Sequence, residues 1–357
     1  MGRWTRPSIE IPQKLSIRRQ RIKGAQRASS PAVTVVEISD PTAGEEGLEV
    51  LSQDLVQLEK RPLRARRLIV RLEGSLVLFH STNLRVRTRT TVHDQLLAYV
   101  VIGPQARGTA NGLPMRSDLM LAVGPGTQVE FVVEAGYKSV TVLVRPAVLE
   151  SHWIGRQREG HFRVPRGMEA LNVDAVHARG LFDWGERPAN TAARQPALFN
   201  GQEETLAAAQ IELLDMLLAA LDTTTAPQHT RSDQTRQAHS RVVRLAEDYA
   251  LAHASERLHV TDLCVATGLS ERTLQYAFQE VMGMSPLAYL TRLRLYRVRQ
   301  ALRMATQGST TVSAEALNWG FWHFGDFSRA YKDCFGELPS ETLRQKPAET
   351  SSSPKAK

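Results

Sequence analysis

Two groups of long hydrogen-bonding side chains stand apart from everything else in this chain. Arg272, Gln275 and Tyr276 form one group, and Asp326 and Arg329 form the other. Each lies at helical spacing on the side opposite an apolar stripe. Side chains of this kind match the donors and acceptors on base edges in the major groove, arginine pairing best with guanine and glutamine with adenine. Ser270, Thr273, His323 and Lys332 flank them and suit phosphate oxygens, while Gly325 lies on the same outward side. The chemistry is recognition of a polyanion rather than bond making. Phosphate-loop, Gly-x-Ser-x-Gly and dinucleotide fingerprints do not occur. His80 and His93, with Asp94 and Glu130 near in sequence, lack the spacing of metal ligands, so no metal, cofactor or enzyme activity is expected.

These residues need two helices to present them, and the sequence supplies the framework twice. Cys264, Gly268, Leu274, Phe278, Gly283 and Pro286 recur as Ala316, Gly320, Phe327, Tyr331, Gly336 and Pro339, with one residue inserted after the first glycine of the second copy. A small residue followed four positions later by glycine, then by an amphipathic helix, is helix-turn-helix spacing. The small residue allows close approach and the glycine makes the turn. Leu274, Phe278 and Val281 form the inner stripe of the first unit; Phe327, Tyr331 and Cys334 form that of the second. Between the units, Ser285 as cap and Pro286 at the first helical position open a long helix running to about Met304. At ~1.5 Å per residue it spans ~30 Å, close to one turn of duplex, so two reading helices can enter successive major-groove segments.

On these residues, 241–346 resembles the DNA-binding domain of the AraC/XylS family of bacterial transcription regulators. The likeness is carried by Leu269, Ser270, Arg272, Leu274 and Phe278, then by Ala316, Trp319-Gly320-Phe321, Phe327, Ser328, Arg329, Gly336, Pro339 and Arg344. The runs 272–275 and 320–325 are most similar to regulators of ethanolamine-utilisation operons. Tyr276 and Leu343 depart from the family pattern, at an arginine and a tyrosine position respectively. The resemblance implies double-stranded DNA as partner, a small-molecule effector, a homodimer, and RNA polymerase as a further partner if the protein activates.

The remainder fits a regulator with two domains, of α+β class. At 357 residues the chain exceeds one typical domain, and a net charge of +8 suits a polyanionic partner. No apolar run approaches the ~20 residues that span a bilayer and no signal-peptide core is present, so no membrane partner and a cytoplasmic location are expected. Cys264 and Cys334, the only cysteines, fall on inner helix faces and read as small apolar residues. Residues 1–32 form a basic segment expected to be disordered, as is 349–357. Residues 33–224 carry short β-rich runs, including a hairpin about Glu73-Gly74 and a turn at Gly124-Pro125-Gly126, which suggest a sandwich or small barrel. Under the resemblance this becomes a cupin-like effector sensor. Arg85, Arg87 and Arg89 alternate along one strand, either as solvated residues or as an anion site. Leu206, Ile211, Leu214, Leu218 and Leu221 give 203–221 an amphipathic helix that either packs on the barrel or, as the resemblance implies, joins two chains. A linker is expected at 225–237 and the all-α double helix-turn-helix domain at 238–348. The competing classes are an enzyme with a tethered DNA-binding domain and an architectural DNA protein, the second of which would show no large specificity ratio.

Overall fold

The structure is a computed structural model and describes residues 31–43, 50–93, 95–160, 162–192, 203–256, 258–306 and 308–344. The basic segment before Pro31, Asp94 and the C-terminal segment from Gln345 lie outside the described residues.

The N-terminal half is β-rich. Its strands are β1 (Val33–Ile38), β2 (Leu51–Gln57), β3 (Ala65–Arg71), β4 (Ser75–Thr82), β5 (Val86–Val92), β6 (Leu97–Ile102), β7 (Gly108–Ala110), β8 (Leu113–Pro114), β9 (Leu119–Val123), β10 (Gln128–Val133), β11 (Lys138–Val144) and β12 (Met168–Asn172). They form two antiparallel sheets, a seven-stranded one in the order β1-β3-β4-β11-β6-β9-β12 and a five-stranded one in the order β2-β5-β10-β7-β8. The expected hairpin about Glu73-Gly74 pairs β3 with β4, Leu72 N–H donating to the Ser75 carbonyl at 2.9 Å. The expected barrel is corrected: the sheets face each other as a sandwich and do not close on one another.

Alternation along the strands separates the two faces of each sheet. Ile69, Leu78, Val100, Leu121 and Leu143 of the larger sheet meet Leu55, Val86, Val129 and Val133 of the smaller one in the interior. On its other face the larger sheet packs Leu68, Val70, Phe79, Tyr99 and Val142 against helices. Those helices are α1 (Pro146–Gly155), α2 (Ala175–Ala192) and α3 (Glu203–Asp222). Leu213, Leu214, Leu217 and Leu218 of α3 are all buried in this cluster, beside Leu181, Phe182 and Trp184 of α2. The dimer-seam role for Leu214 and Leu218 is therefore corrected. The apolar stripe is spent on the chain's own sheet, and of the expected stripe only Ile211 is exposed.

The C-terminal half is helical, with α4 (Arg231–Ala252), α5 (Val260–Thr267), α6 (Glu271–Met282), α7 (Pro286–Met304), α8 (Val312–Asn318), α9 (Phe324–Phe335) and α10 (Pro339–Arg344). Thr230 opens α4 with a capping box to Asp233, so the segment from Arg231 to Gln237, expected as linker, is already helix. The connection from α3 is short, and Thr225 pairs with Asn172 at the end of β12. The outer face of the five-stranded sheet is covered by this helical half: Val56, Leu58 and Val132 share a cluster with Val243, Leu263, Phe278 and Tyr289. The layers thus run helices, large sheet, small sheet, helices.

Candidate nucleic-acid interface

The two helix-turn-helix units are built by the same local bonds. In the first, Gly268 closes α5 in the left-handed region at φ 69°, and Leu269 N–H donates back to the Cys264 carbonyl at 3.2 Å. In the second, Gly320 has φ +75°, and Phe321 N–H donates to the Ala316 carbonyl at 2.8 Å. Gly320 is also a close approach, since a Cβ there would stand 2.7 Å from the Ala254 carbonyl oxygen. The inserted residue of the second copy falls in the turn, so that His323 rather than a serine precedes α9. Leu274, Phe278 and Val281 of α6 are buried as the periodicity requires, and so are Phe327 and Tyr331 of α9. Ser285 Oγ caps α7, accepting from Ala288 N–H at 3.4 Å, and Pro286 follows at its first position.

The outward faces carry the residues expected there. Arg272, Thr273, Gln275, Tyr276 and Gln279 of α6 are exposed and, with Ser285 at the start of α7, line one shallow concavity. Tyr276 is 62% exposed and is braced edge-on by the His239 ring at 5.4 Å, while His239 also bonds Glu280. Gln275 Nε2 donates to Glu271 Oε1 at 2.9 Å, which holds the amide along the helix. Ser270 Oγ is engaged as the cap of α6, accepting from Thr273 N–H at 3.3 Å. On α9, His323, Gly325, Asp326, Arg329 and Lys332 are all exposed, and Arg329 lies 3.8 Å from Asp326 as a loose ion pair. The structure thus brings Ser270, Arg272, Thr273, Gln275 and Tyr276 together on α6 and the other five on α9. Gln279, Ser285 and the exposed aromatics Trp322 and Phe324 complete these surfaces. Sequence reasoning misses Gln279, which the helical period of α6 places outward, and Ser285, which it reads only as a cap; it also misses Trp322 and Phe324 as surface residues, because apolar residues next to a turn read as core.

The thiols fall where the sequence puts them. Cys264 and Cys334 are half-buried beside the apolar clusters, and burial pushes the Cys334 thiol up to about 11. A thiol so protonated at neutral pH is a packing group.

Below α7, Asp40 anchors the N-terminal half. Arg299 donates to its Oδ2 from Nε at 3.0 Å and from Nη2 at 2.7 Å, and Arg303 bonds it as well. Burial alone would raise this carboxyl, but the hydrogen bonds and charge of Arg299, helped by Thr42, hold it at about 2. A lowered carboxylate pKa stabilises above the ordinary value of ~4 and loses that stabilisation as pH falls through the lowered one. Acid titration of stability should therefore show about 2 kcal/mol lost between pH ~4 and ~2, and Asp40→Asn should remove that step; an unchanged acid limb would place the carboxylate in water.

With this geometry in view, the class is a double helix-turn-helix protein. Residues 263–345 match the helix-turn-helix domain family. A protein of Rhodococcus erythropolis named a probable thc operon regulatory protein is 42% identical over 106 residues, which is 30% of this chain and 32% of that one. A Pseudomonas putida protein named XylDLEGF operon transcriptional activator 3 is 26% identical over 209 residues, 58% of each chain. The solved structure of a probable AraC family transcriptional regulator from Rhodopseudomonas palustris is 42% identical, covers 29% of this chain and 95% of its own, and has a TM-score of 0.27. The likeness to the Rhodococcus relative thus spans about a third of that relative's length. Residues 263–345 therefore carry a helix-turn-helix domain, and the proteins they resemble are named as operon regulators and activators. Among the described residues, no helix is long and apolar enough to cross a membrane, and no cluster of His, Cys, Asp and Glu could hold a metal.

Proposed function

We propose that the protein is a ligand-responsive transcription activator that reads two successive major-groove segments with α6 and α9. The observation that carries this is the pair of equivalent helices with exposed polar faces, joined by α7, whose 19 residues span ~28 Å at ~1.5 Å per residue. In this reading Arg272, Gln275, Tyr276, Asp326 and Arg329 face base edges, while Ser270, Thr273, His323 and Lys332 hold phosphates. That relatives carry the names of operon regulators and activators supports the sign of control. Footprinting the full chain on the DNA flanking its own gene should show two protected segments about one turn apart. Protection of one segment alone would make the second unit a structural relic.

Arg272→Ala and Arg329→Ala should each cost ~1 to 3 kcal/mol at the cognate site and relax choice at different base pairs. Lys332→Ala should weaken all sequences alike and lower the salt slope. Binding titrations against a panel of base substitutions separate these cases, and uniform loss for both arginines would reassign them to phosphates.

The effector reading rests on a cavity of about 90 Å³ between the two sheets. Its lining is mostly apolar, with Thr88, Thr90, Arg67 and His80 as polar contributors. Burial and the nearby Arg67 charge push the His80 imidazole down to about 3, which keeps it neutral. A small apolar molecule with an anionic or neutral acceptor group suits that interior. The Arg67 charge disfavours a protonated amine such as ethanolamine, the effector suggested by subgroup resemblance. Homodimerisation and contact with RNA polymerase belong to the same reading, and a dimer would use a surface other than the leucine stripe of α3.

A further inference from the structure

We propose that β5 couples the cavity to the DNA-reading helices, with one face of the strand serving each. Val86, Thr88, Thr90 and Val92 line the cavity. Arg87 and Arg89, with Arg85 just before the strand, leave the opposite face and end on the helical half, away from the cavity and mostly out of solvent. Arg87 is 0% exposed and donates to Glu130 at 3.3 Å and to Glu247 of α4 at 2.5 Å. Arg89 donates to Glu247 at 3.0 Å and to Asp248 at 2.5 Å. Arg85 reaches the C-terminal end of α6, donating to the carbonyls of Val281 at 3.0 Å and Met282 at 3.2 Å, where the helix dipole favours a cation. The base-reading helix is thus capped by a residue of the other domain.

The strands beside β5 repeat the division. Val129, Phe131 and Val133 of β10 line the cavity, while Glu130 between them accepts from Ser240 Oγ of α4 at 3.1 Å. Leu51 and Gln53 of β2 line it, while Asp54 accepts from Arg297 of α7 at 2.6 Å. The wall between cavity and reader is one sheet thick. Because successive side chains leave a strand on opposite faces, a shift of the backbone on the cavity side necessarily moves the arginines.

The chemistry of the contact suits a switch better than permanent adhesion. Apolar packing would bind two fixed domains at least as well as buried ion pairs do. Here Arg87 Nε, Glu247 Oε1 and the Tyr289 hydroxyl are buried with no hydrogen-bond partner among the described residues. An incompletely satisfied polar contact holds its docked state by a small margin, and a second arrangement close in free energy is what a ligand needs in order to shift a population.

The inference rests on the effector reading for its purpose, but its mechanics can be tested without effector or DNA, so its failure would leave DNA reading intact. Hydrogen exchange of α4 amides 243–250 is followed in the full chain. Ala98→Leu fills the cavity from β6, on the sheet that does not touch the reader, and should change α4 exchange threefold or more. Adding Glu247→Gln should abolish that change relative to Glu247→Gln alone. If Ala98→Leu does not fold, Thr90→Val decides instead: it is nearly isosteric and removes only the hydroxyl that accepts from Gln53 at 3.2 Å on the cavity side. A folded variant with unaltered α4 exchange, or a change that persists with Glu247→Gln, would overturn the proposal.

Discussion

Glu247→Ala should cost about 3–5 kcal/mol of stability, because it leaves buried cations without their principal counter-charge. Arg87 and Arg89 both end on Glu247, whose side chain is fully buried. Burial pushes the Glu247 carboxyl up against the opposing pull of Arg87 and then Arg89. For Arg87, burial works against the charge, yet Glu247 and the groups around it more than compensate, so the guanidinium stays protonated. Alanine removes the anion and leaves that cation with Glu130 and the more distant Asp54. Urea unfolding of the full chain measures the loss. Combining Glu247→Leu with Arg87→Met should recover much of it, since an apolar pair of similar volume needs no desolvation of charge. A loss below about 1 kcal/mol for Glu247→Ala would mean that water reaches the pair and screens it.

A larger effect is expected from Leu214→Asp together with Leu218→Asp. These leucines are 2% and 0% exposed against the large sheet. An unpaired buried carboxylate costs several kcal/mol, and two approach or exceed the 5–15 kcal/mol by which a typical domain is stable. The double variant should therefore fail to accumulate as a folded protein. Ile211→Asp, on the 51%-exposed side of the same helix, should fold with a change of about 0.5 kcal/mol or less. Solubility, circular dichroism and sedimentation distinguish these outcomes. A folded, soluble monomer from the double variant would return the stripe to a dimer seam.

The helical half was legible because its information is local. Gly268 and Gly320 mark turns that the backbone can make only with positive φ, Ser270 and Ser285 mark helix starts, and a 3.6-residue period assigns Phe278 and Gln279 to opposite faces of α6. The β-rich half was less legible. Its strands could be found by alternation, but whether the sheets close depends on pairings far apart in sequence, such as β1 with β3 and β4 with β11. The separate strands β1 and β2, and the pairing of β12 with β9, were not singled out by alternation alone.

By itself the sequence determined that two equivalent amphipathic helices exist, which side chains leave their outward faces, and that a long helix joins them. These follow from spacing within a few residues, where backbone geometry leaves little choice. Only the tertiary structure decided the partners of Arg85, Arg87 and Arg89. Strand alternation put the three arginines on one face, but water, a ligand and another domain are equivalent to a period of two. Glu247 and Asp248, more than 150 residues later, face that strand only because α4 lies across the five-stranded sheet. The α3 leucines follow the same logic: an amphipathic stripe states that something apolar must cover it, and only the assembled sheet shows that the cover is the chain's own core.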